Sequence, residues 1–127
     1  GGFSAGKPWL PVTAPHLPLS VAAQAGDPAS MLAHYRAALA FRRAHPVLRF
    51  GGMTLPEARG DLATFLRVGE ETLFCAFNLG SGSVSLDLPQ GNWVPVGGEI
   101  GAEMAAEAVD GAGARLGPWG YSLMQRQ

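Results

Sequence analysis

The spacing of the apolar residues changes once along this chain, and the change falls at His45-Pro46. Upstream, Met31, Leu32, Tyr35, Ala38 and Leu39 recur at the i, i+3/i+4, i+7 interval that puts side chains on one face of a helix. Downstream, apolar residues alternate with polar ones in runs of four to seven, each run closed by glycine or proline. This pattern predicts one long amphipathic helix followed by a small antiparallel β-domain.

The helix is expected over residues 27–45. Asp27 suits the N-cap, and Pro28 suits the first helical position, where its missing N–H costs nothing. His45-Pro46 closes it, because the residue before proline is pushed out of the α region. Arg42, Arg43 and His45 favour the negative end of the helix dipole. The face opposite the Leu face is not polar either: Ala33, Ala37, Ala40, Phe41 and Ala44 occupy it. A helix apolar on both sides is expected to be sandwiched. Arg42 projects from within the Leu face, either to meet a carboxylate or carbonyls there or to snorkel at the helix end.

Strands follow at short intervals. Val47-Leu48-Arg49-Phe50 leads through Gly51-Gly52 into Met53-Thr54-Leu55, and Leu62 to Val68 turns at Gly69-Glu70-Glu71 into Thr72 to Asn78. Ser83 to Leu88 alternates strictly, Trp93 to Val96 follows a Pro-Gly turn, and Leu116 with Gly120 to Gln125 supply the last strands. Short strands with Gly/Pro turns indicate an antiparallel sandwich or sheet. The stretch from Gly97 to Gly113 reads as a connection with a short helical turn.

Residues 1–26 carry Pro8, Pro11, Pro15 and Pro18 and show no sustained period. They also carry Phe3, Trp9, Leu10 and Leu17, which a solvated linker does not need, so this segment is expected to lie against another surface. Gly1-Gly2-Phe3-Ser4 opens without an initiator Met, as either a tag remnant or the interior of a longer protein would. Hydrophobic residues make up 47% and charged residues 15%, too apolar for a disordered chain and low enough in charge that some surface is expected to be covered. A net charge of −1 gives no reason to expect nucleic acid or an anionic membrane, and no apolar run reaches the length of a membrane span. No signal-peptide pattern opens the chain. Cys75, within Leu73-Phe74-Cys75-Ala76-Phe77, reads as a small buried hydrophobe, since no basic residue is near it in sequence to stabilise a thiolate. A reducing, cytoplasmic location is the expectation.

No catalytic constellation emerges. Asp27 is explained as a cap, Glu70 and Glu71 as turn residues, and Asp87 as the outward position of a strand, so the acidic residues read as solvated surface. His16, His34 and His45 are too scattered for a metal site, and one cysteine makes no zinc pattern. No serine sits in a Gly-x-Ser-x-Gly elbow, and no glycine run ends as a phosphate loop does. No metal or cofactor is expected. Trp9, Trp93 and Trp119 read first as core or interface residues and second as surfaces on which sugar rings stack.

The order of these pieces resembles a known family. Gly2-Phe3-Ser4, Gly6-Lys7-Pro8-Trp9-Leu10-Pro11-Val12, Asp27-Pro28-x-Ser30, Tyr35-Arg36 and Phe41-Arg42-Arg43-x-His45-Pro46-Val47-Leu48 are similar to the C-terminal region of α-glucosidases and oligo-1,6-glucosidases. These belong to glycoside hydrolase family 13, the α-amylase superfamily. Phe77-Asn78-Leu79 and Leu116-Gly117-Pro118-Trp119-Gly120-Tyr121 also resemble that region. The resemblance implies a mainly β fold: an antiparallel β-sandwich preceded by a long loop and the last helix of a truncated (β/α)8 barrel. It implies a barrel remnant over residues 1–46 and a C-terminal all-β domain over 47–127.

In that family the catalytic aspartate, glutamate and second aspartate lie on barrel strands that would precede Gly1, and the mechanism is retaining. No catalytic residue therefore carries over, and the missing barrel becomes the expected partner, with α-linked gluco-oligosaccharide as the substrate of the whole. Barrel active sites are built from loops at the C-terminal ends of the strands. The opening loop is thus expected at the periphery of the substrate pocket, with Phe3, Lys7 and Trp9 shaping it. The alternatives are a carbohydrate-binding β-module that uses its tryptophans, and a module that self-associates through exposed helix faces.

Overall fold

The computed structural model describes residues 5–100, 107–108 and 113–127. A five-stranded antiparallel sheet forms the centre, built in the order β1 (Gly52–Arg59), β2 (Leu62–Val68), β3 (Thr72–Asn78), β8 (Tyr121–Arg126) and β5 (Trp93–Val96). A second sheet of β4 (Val84–Asp87), β7 (Gly113–Leu116) and β6 (Glu107–Ala108) covers one face. Three helical segments, α1 (Val21–Gln24), α2 (Met31–Ala44) and α3 (Val47–Phe50), precede the strands, and a 3-10 segment, Ala14–Leu19, lies within the proline-rich opening.

The middle strand explains the layering. In β3, Phe74 and Ala76 point toward the small sheet, where they pack with Leu86, Ala114, Leu116 and Met124. Leu73 and Cys75 point the other way and pack with Phe41 of α2, Val47 of α3 and Ile100. Side chains alternate across a strand, so a strand covered on both faces reads as a continuous apolar run. That is why Leu73 to Phe77 shows no period of two, whereas β4, with one face wet, does: Leu86 is buried while Ser85 and Asp87 are exposed. The fold is thus a helix layer, a central sheet and a smaller sheet, with one apolar cluster in each gap.

The expected hairpins form. The β1–β2 turn passes through Gly60 at φ 58, a left-handed value glycine takes without penalty. The β1–β2 register slips between Thr54 and Glu57, the stretch that holds Pro56, which has no N–H to donate. Pro95 lies in β5, at the edge of the sheet, where a missing donor is tolerated.

Three local expectations are corrected. The long helix begins at Met31 and not at Pro28, because Asp27 Oδ1 accepts the Ala29 N–H at 2.9 Å and so closes a turn ahead of the helix. Ser30 is the N-cap instead: its hydroxyl accepts the Ala33 N–H at 3.2 Å and donates to the Asp27 carbonyl at 2.6 Å. Second, Val47-Leu48-Arg49-Phe50 is a helical turn and not a strand. Proline ends the helix behind it but starts one ahead of it, and Pro46 sits at φ −54, ψ −30, the helical region. The Arg67 guanidinium holds that turn, donating to the carbonyls of Val47 at 3.0 Å and Gly51 at 2.8 Å. Third, the opening segment is not wholly irregular, since it contains the 3-10 segment and α1. The connection from Gly97 begins with a 3-10 turn, Gly98–Ile100, and part of it then lies outside the described residues.

Candidate functional site

The feature that distinguishes this chain is α2, which has two apolar faces of which only one is covered. On the inner face Phe41 is buried, and Ala38 packs beside it against the sheet. Phe41 approaches the backbone closely at Gly97, which has φ 79; a Cβ there would lie 3.2–3.4 Å from Leu123, Ile100 and Phe41. His34 Nδ1 lies 2.9 Å from the Ile100 carbonyl, and since a carbonyl only accepts, the ring donates from that nitrogen. These contacts seat the helix on the domain along positions 34, 38, 41 and 45.

The outer face carries Met31, Tyr35 and Leu39, which are 65%, 62% and 49% exposed. Sequence spacing predicts Met31, Leu32, Tyr35, Ala38 and Leu39 as one buried face; Leu32 and Ala38 are half-buried, while Met31, Tyr35 and Leu39 stay open among the described residues. The residue buried deepest on α2, Phe41, belongs to the face read as secondary. Arg42 lies exposed beside the apolar stripe, with no hydrogen bond or ion pair among the described residues. The opening segment adds further apolar surface: Trp9 is 94% exposed, and Leu10, Leu17, Leu19 and Val21 are exposed as well. Of the residues proposed to shape a substrate pocket, Lys7 and Trp9 stand exposed on this segment, and Phe3 lies outside the described residues.

At the C-terminal end of α2, His45 Nδ1 meets Glu71 Oε2 at 2.8 Å, with the two side chains about four-fifths buried. The Phe41 ring lies over the imidazole at 4.2 Å between centroids. Gln125 Nε2 donates to the same Glu71 oxygen at 3.2 Å, and Oε1 is buried with no partner among the described residues. Glu71 is therefore not a solvated turn residue, as its sequence position implies. It anchors the helix to both β3 and β8. Beside it, Ala44, Pro46, Val47, Phe50, Glu70 and Glu71 line an open cleft of about 510 Å³.

Nucleophilic or metal chemistry finds little purchase. Burial pushes the Cys75 thiol up to about 11, with the Arg67 charge opposing it, so at neutral pH it is a protonated core side chain. Among the described residues no group of three or more His, Cys, Asp or Glu could hold a metal ion. No helix there is long and apolar enough to cross a membrane.

The tryptophans part company. Trp93 packs on Phe74 and the inter-sheet core and donates from Nε1 to the Pro89 carbonyl at 2.7 Å, so it is structural. Trp119 stands 61% exposed at the tip of the β7–β8 turn, with φ 57. Beneath that turn lies Asn78, 2% exposed, whose Nδ2 donates to the carbonyls of Gly82 and Gly117 at 2.6 Å each. Its Oδ1 accepts the Gly80 N–H at 3.0 Å, so one amide ties two loops together. Sequence spacing missed this role, although an Asn ending an apolar strand just before Gly80 is a signal for it.

The same arrangement of helix and sheets occurs in solved proteins. An α-glucosyl transfer enzyme, XgtA, superposes with a TM-score of 0.85 at 31% identity over 99% of this chain and 23% of that one. A trehalulose synthase from Pseudomonas mesoacidophila gives a TM-score of 0.74 at 25% identity, over 98% of this chain and 23% of that one. In sequence, the protein of Rhizobium meliloti named "Probable alpha-glucosidase" is 48% identical over 77% of this chain. The chain matches the C-terminal region of glycoside hydrolase family 13. An oligo-1,6-glucosidase of Heyndrickxia coagulans, 32% identical over 72% of this chain, agrees. No family model matches the chain. It spans 18% and 17% of the length of these two curated relatives, so it corresponds to a small part of much longer proteins. The mainly antiparallel fold is the one that the resemblance implies.

Proposed function

We propose that these residues close and brace the catalytic barrel of an α-glucosidase-like hydrolase, one that cleaves terminal α-glucosidic bonds in small gluco-oligosaccharides, and that they supply no catalytic group. On this reading residues 1–46 belong to the barrel and residues 47–127 form the C-terminal domain. The observation that carries the proposal is the doubly apolar α2: Phe41 is 3% exposed on the sheet side, while Met31, Tyr35 and Leu39 are open on the other. Exposed apolar area of this kind, continued by Trp9 and Leu10, marks a protein contact surface. The His45–Glu71 pair fixes the helix to the β-domain, so the domain holds the helix in the orientation in which it meets the barrel.

The opening loop, with Phe3, Lys7 and Trp9, then lies at the outer part of the substrate pocket. The buried free Cys75 suits a reducing, cytoplasmic setting. The test is reconstitution: the Rhizobium meliloti relative, truncated before the segment that matches this chain, is mixed with the chain and assayed on a chromogenic α-glucoside. Activity from the mixture and none from the chain alone is expected. Turnover by the pure chain, or a mixture that stays inactive, counts against the proposal.

A further inference from the structure

Among the described residues Trp119 is the non-glycine residue with positive φ, at 57. A bulky side chain in the left-handed region costs stability, and glycine or asparagine would avoid that cost. Residues are held in such conformations where the surroundings over-determine them, and these places cluster at ligand sites. Burial of the ring does not offset the cost here, since Trp119 is 61% exposed, unlike the packed Trp93.

The backbone that presents the ring is fixed from several sides. The Trp119 N–H donates to the Gly80 carbonyl at 3.0 Å, and the Gly120 N–H to the Gly117 carbonyl at 3.0 Å. Below them the buried Asn78 takes hold of Gly117 and Gly82 through its side chain, and its own N–H donates to the Gly120 carbonyl at 2.7 Å. The indole is therefore pre-set on a stiff turn.

Its surroundings are small and polar. Gly82 and Gly117 have open space where a side chain would stand, Ser81 is exposed, and the Asp61 carboxylate lies against Gly80 so closely that a Cβ there would collide with it. Leu79, next to Gly80 in sequence, is 62% exposed. A protein partner needs roughly 1,000 Å² of buried surface, far more than one ring and one leucine offer. A sugar ring needs an aromatic face and a few polar groups around it.

We propose that Trp119 is a stacking platform for the apolar face of an α-linked glucosyl unit, with the Asp61 and Ser81 side chains available to its hydroxyls. The choice of sugar rests on the α-glucosidase reading given above; the platform itself rests on the strained, exposed ring.

The experiment uses the full chain labelled with ¹⁵N, in which Trp9, Trp93 and Trp119 each give an indole N–H signal. Maltotriose and isomaltotriose are titrated through the millimolar range. A saturable shift centred on the Trp119 signal is expected. Trp119→Phe should retain binding, and Trp119→Asn should raise Kd by roughly tenfold or more. Because asparagine accepts the left-handed backbone, Trp119→Asn should also melt at the same or a higher temperature than the parent. No saturable Trp119 shift with either sugar overturns the proposal. So does a lower melting temperature for Trp119→Asn, which would make the ring a structural prop, and so does concentration-dependent broadening of the Trp119 signal without sugar, which would make it a contact between copies. A missing sugar shift with intact reconstitution defeats this inference alone.

Discussion

His45 and Glu71 are 26 positions apart in sequence and 2.8 Å apart in space, and this contact joins the end of the long helix to the β2–β3 turn. A carboxylate only accepts, so His45 donates from Nδ1, and the Glu71 oxygen it meets also takes the Gln125 amide. The pair is mostly buried, and it sits under the Phe41 ring where water does not compete freely.

Removing one partner strands the other. Glu71→Ala and His45→Ala are each expected to lower stability by about 1–3 kcal/mol, the cost of leaving a buried polar group unsatisfied. Glu71→Gln, which retains an acceptor for His45, should lose less. Urea unfolding of the single variants and the double variant checks this, and a coupling energy near zero would show the contact to be incidental.

Asn78 should be harder to replace than its size implies. Asn78→Ala leaves the Gly82 and Gly117 carbonyls without their donor and the Gly80 N–H without its acceptor. A loss of about 2 kcal/mol or more is expected. Asn78→Asp should be as damaging, because a carboxylate would face two carbonyl oxygens at a distance meant for a donor. Thermal unfolding of both variants measures this; a cost within the range of an ordinary surface substitution would remove the amide from its assigned role.

Cys75 ties stability to alkaline pH. Burial holds the folded thiol protonated to about 11, against an ordinary value of 9.0. The unfolded chain therefore releases this proton first. The contribution is fully present below pH 9 and is lost as pH rises toward 11. About 2–3 kcal/mol is at stake. Denaturant melts across that window should fall more steeply for the parent than for Cys75→Ala, and the native thiol should react with a disulfide reagent only on unfolding. Equal slopes, or rapid labelling of the folded chain, would contradict it.

Much of the fold was legible because strands and turns leave local marks. Leu62 to Val68, Thr72 to Asn78 and Trp93 to Val96 are strands where short apolar runs between turn residues place them. Errors arose where a residue had two local uses. Asp27 serves as a turn former and not a cap, and Pro46 starts a helix as well as ending one. Glu71 illustrates the remaining limit, since no local signal tells a turn carboxylate that faces water from one that meets a histidine 26 residues away. The helix was legible as doubly apolar, yet spacing alone ranked its faces wrongly. Phe41 seats the helix on the sheet, while the more regular Met31-Tyr35-Leu39 stripe stays open.

The open stripe on α2 is the surface on which the proposed barrel contact depends. The deciding measurement compares the parent chain with a Met31→Lys, Tyr35→Lys, Leu39→Lys triple variant in reconstitution with the truncated Rhizobium meliloti relative. Because these side chains are exposed, the variant alone should fold with a stability within about 1–2 kcal/mol of the parent. The parent is expected to restore α-glucosidase activity, and the triple variant, still folded, is expected not to. A triple variant that restores activity as fully as the parent would contradict the proposed contact.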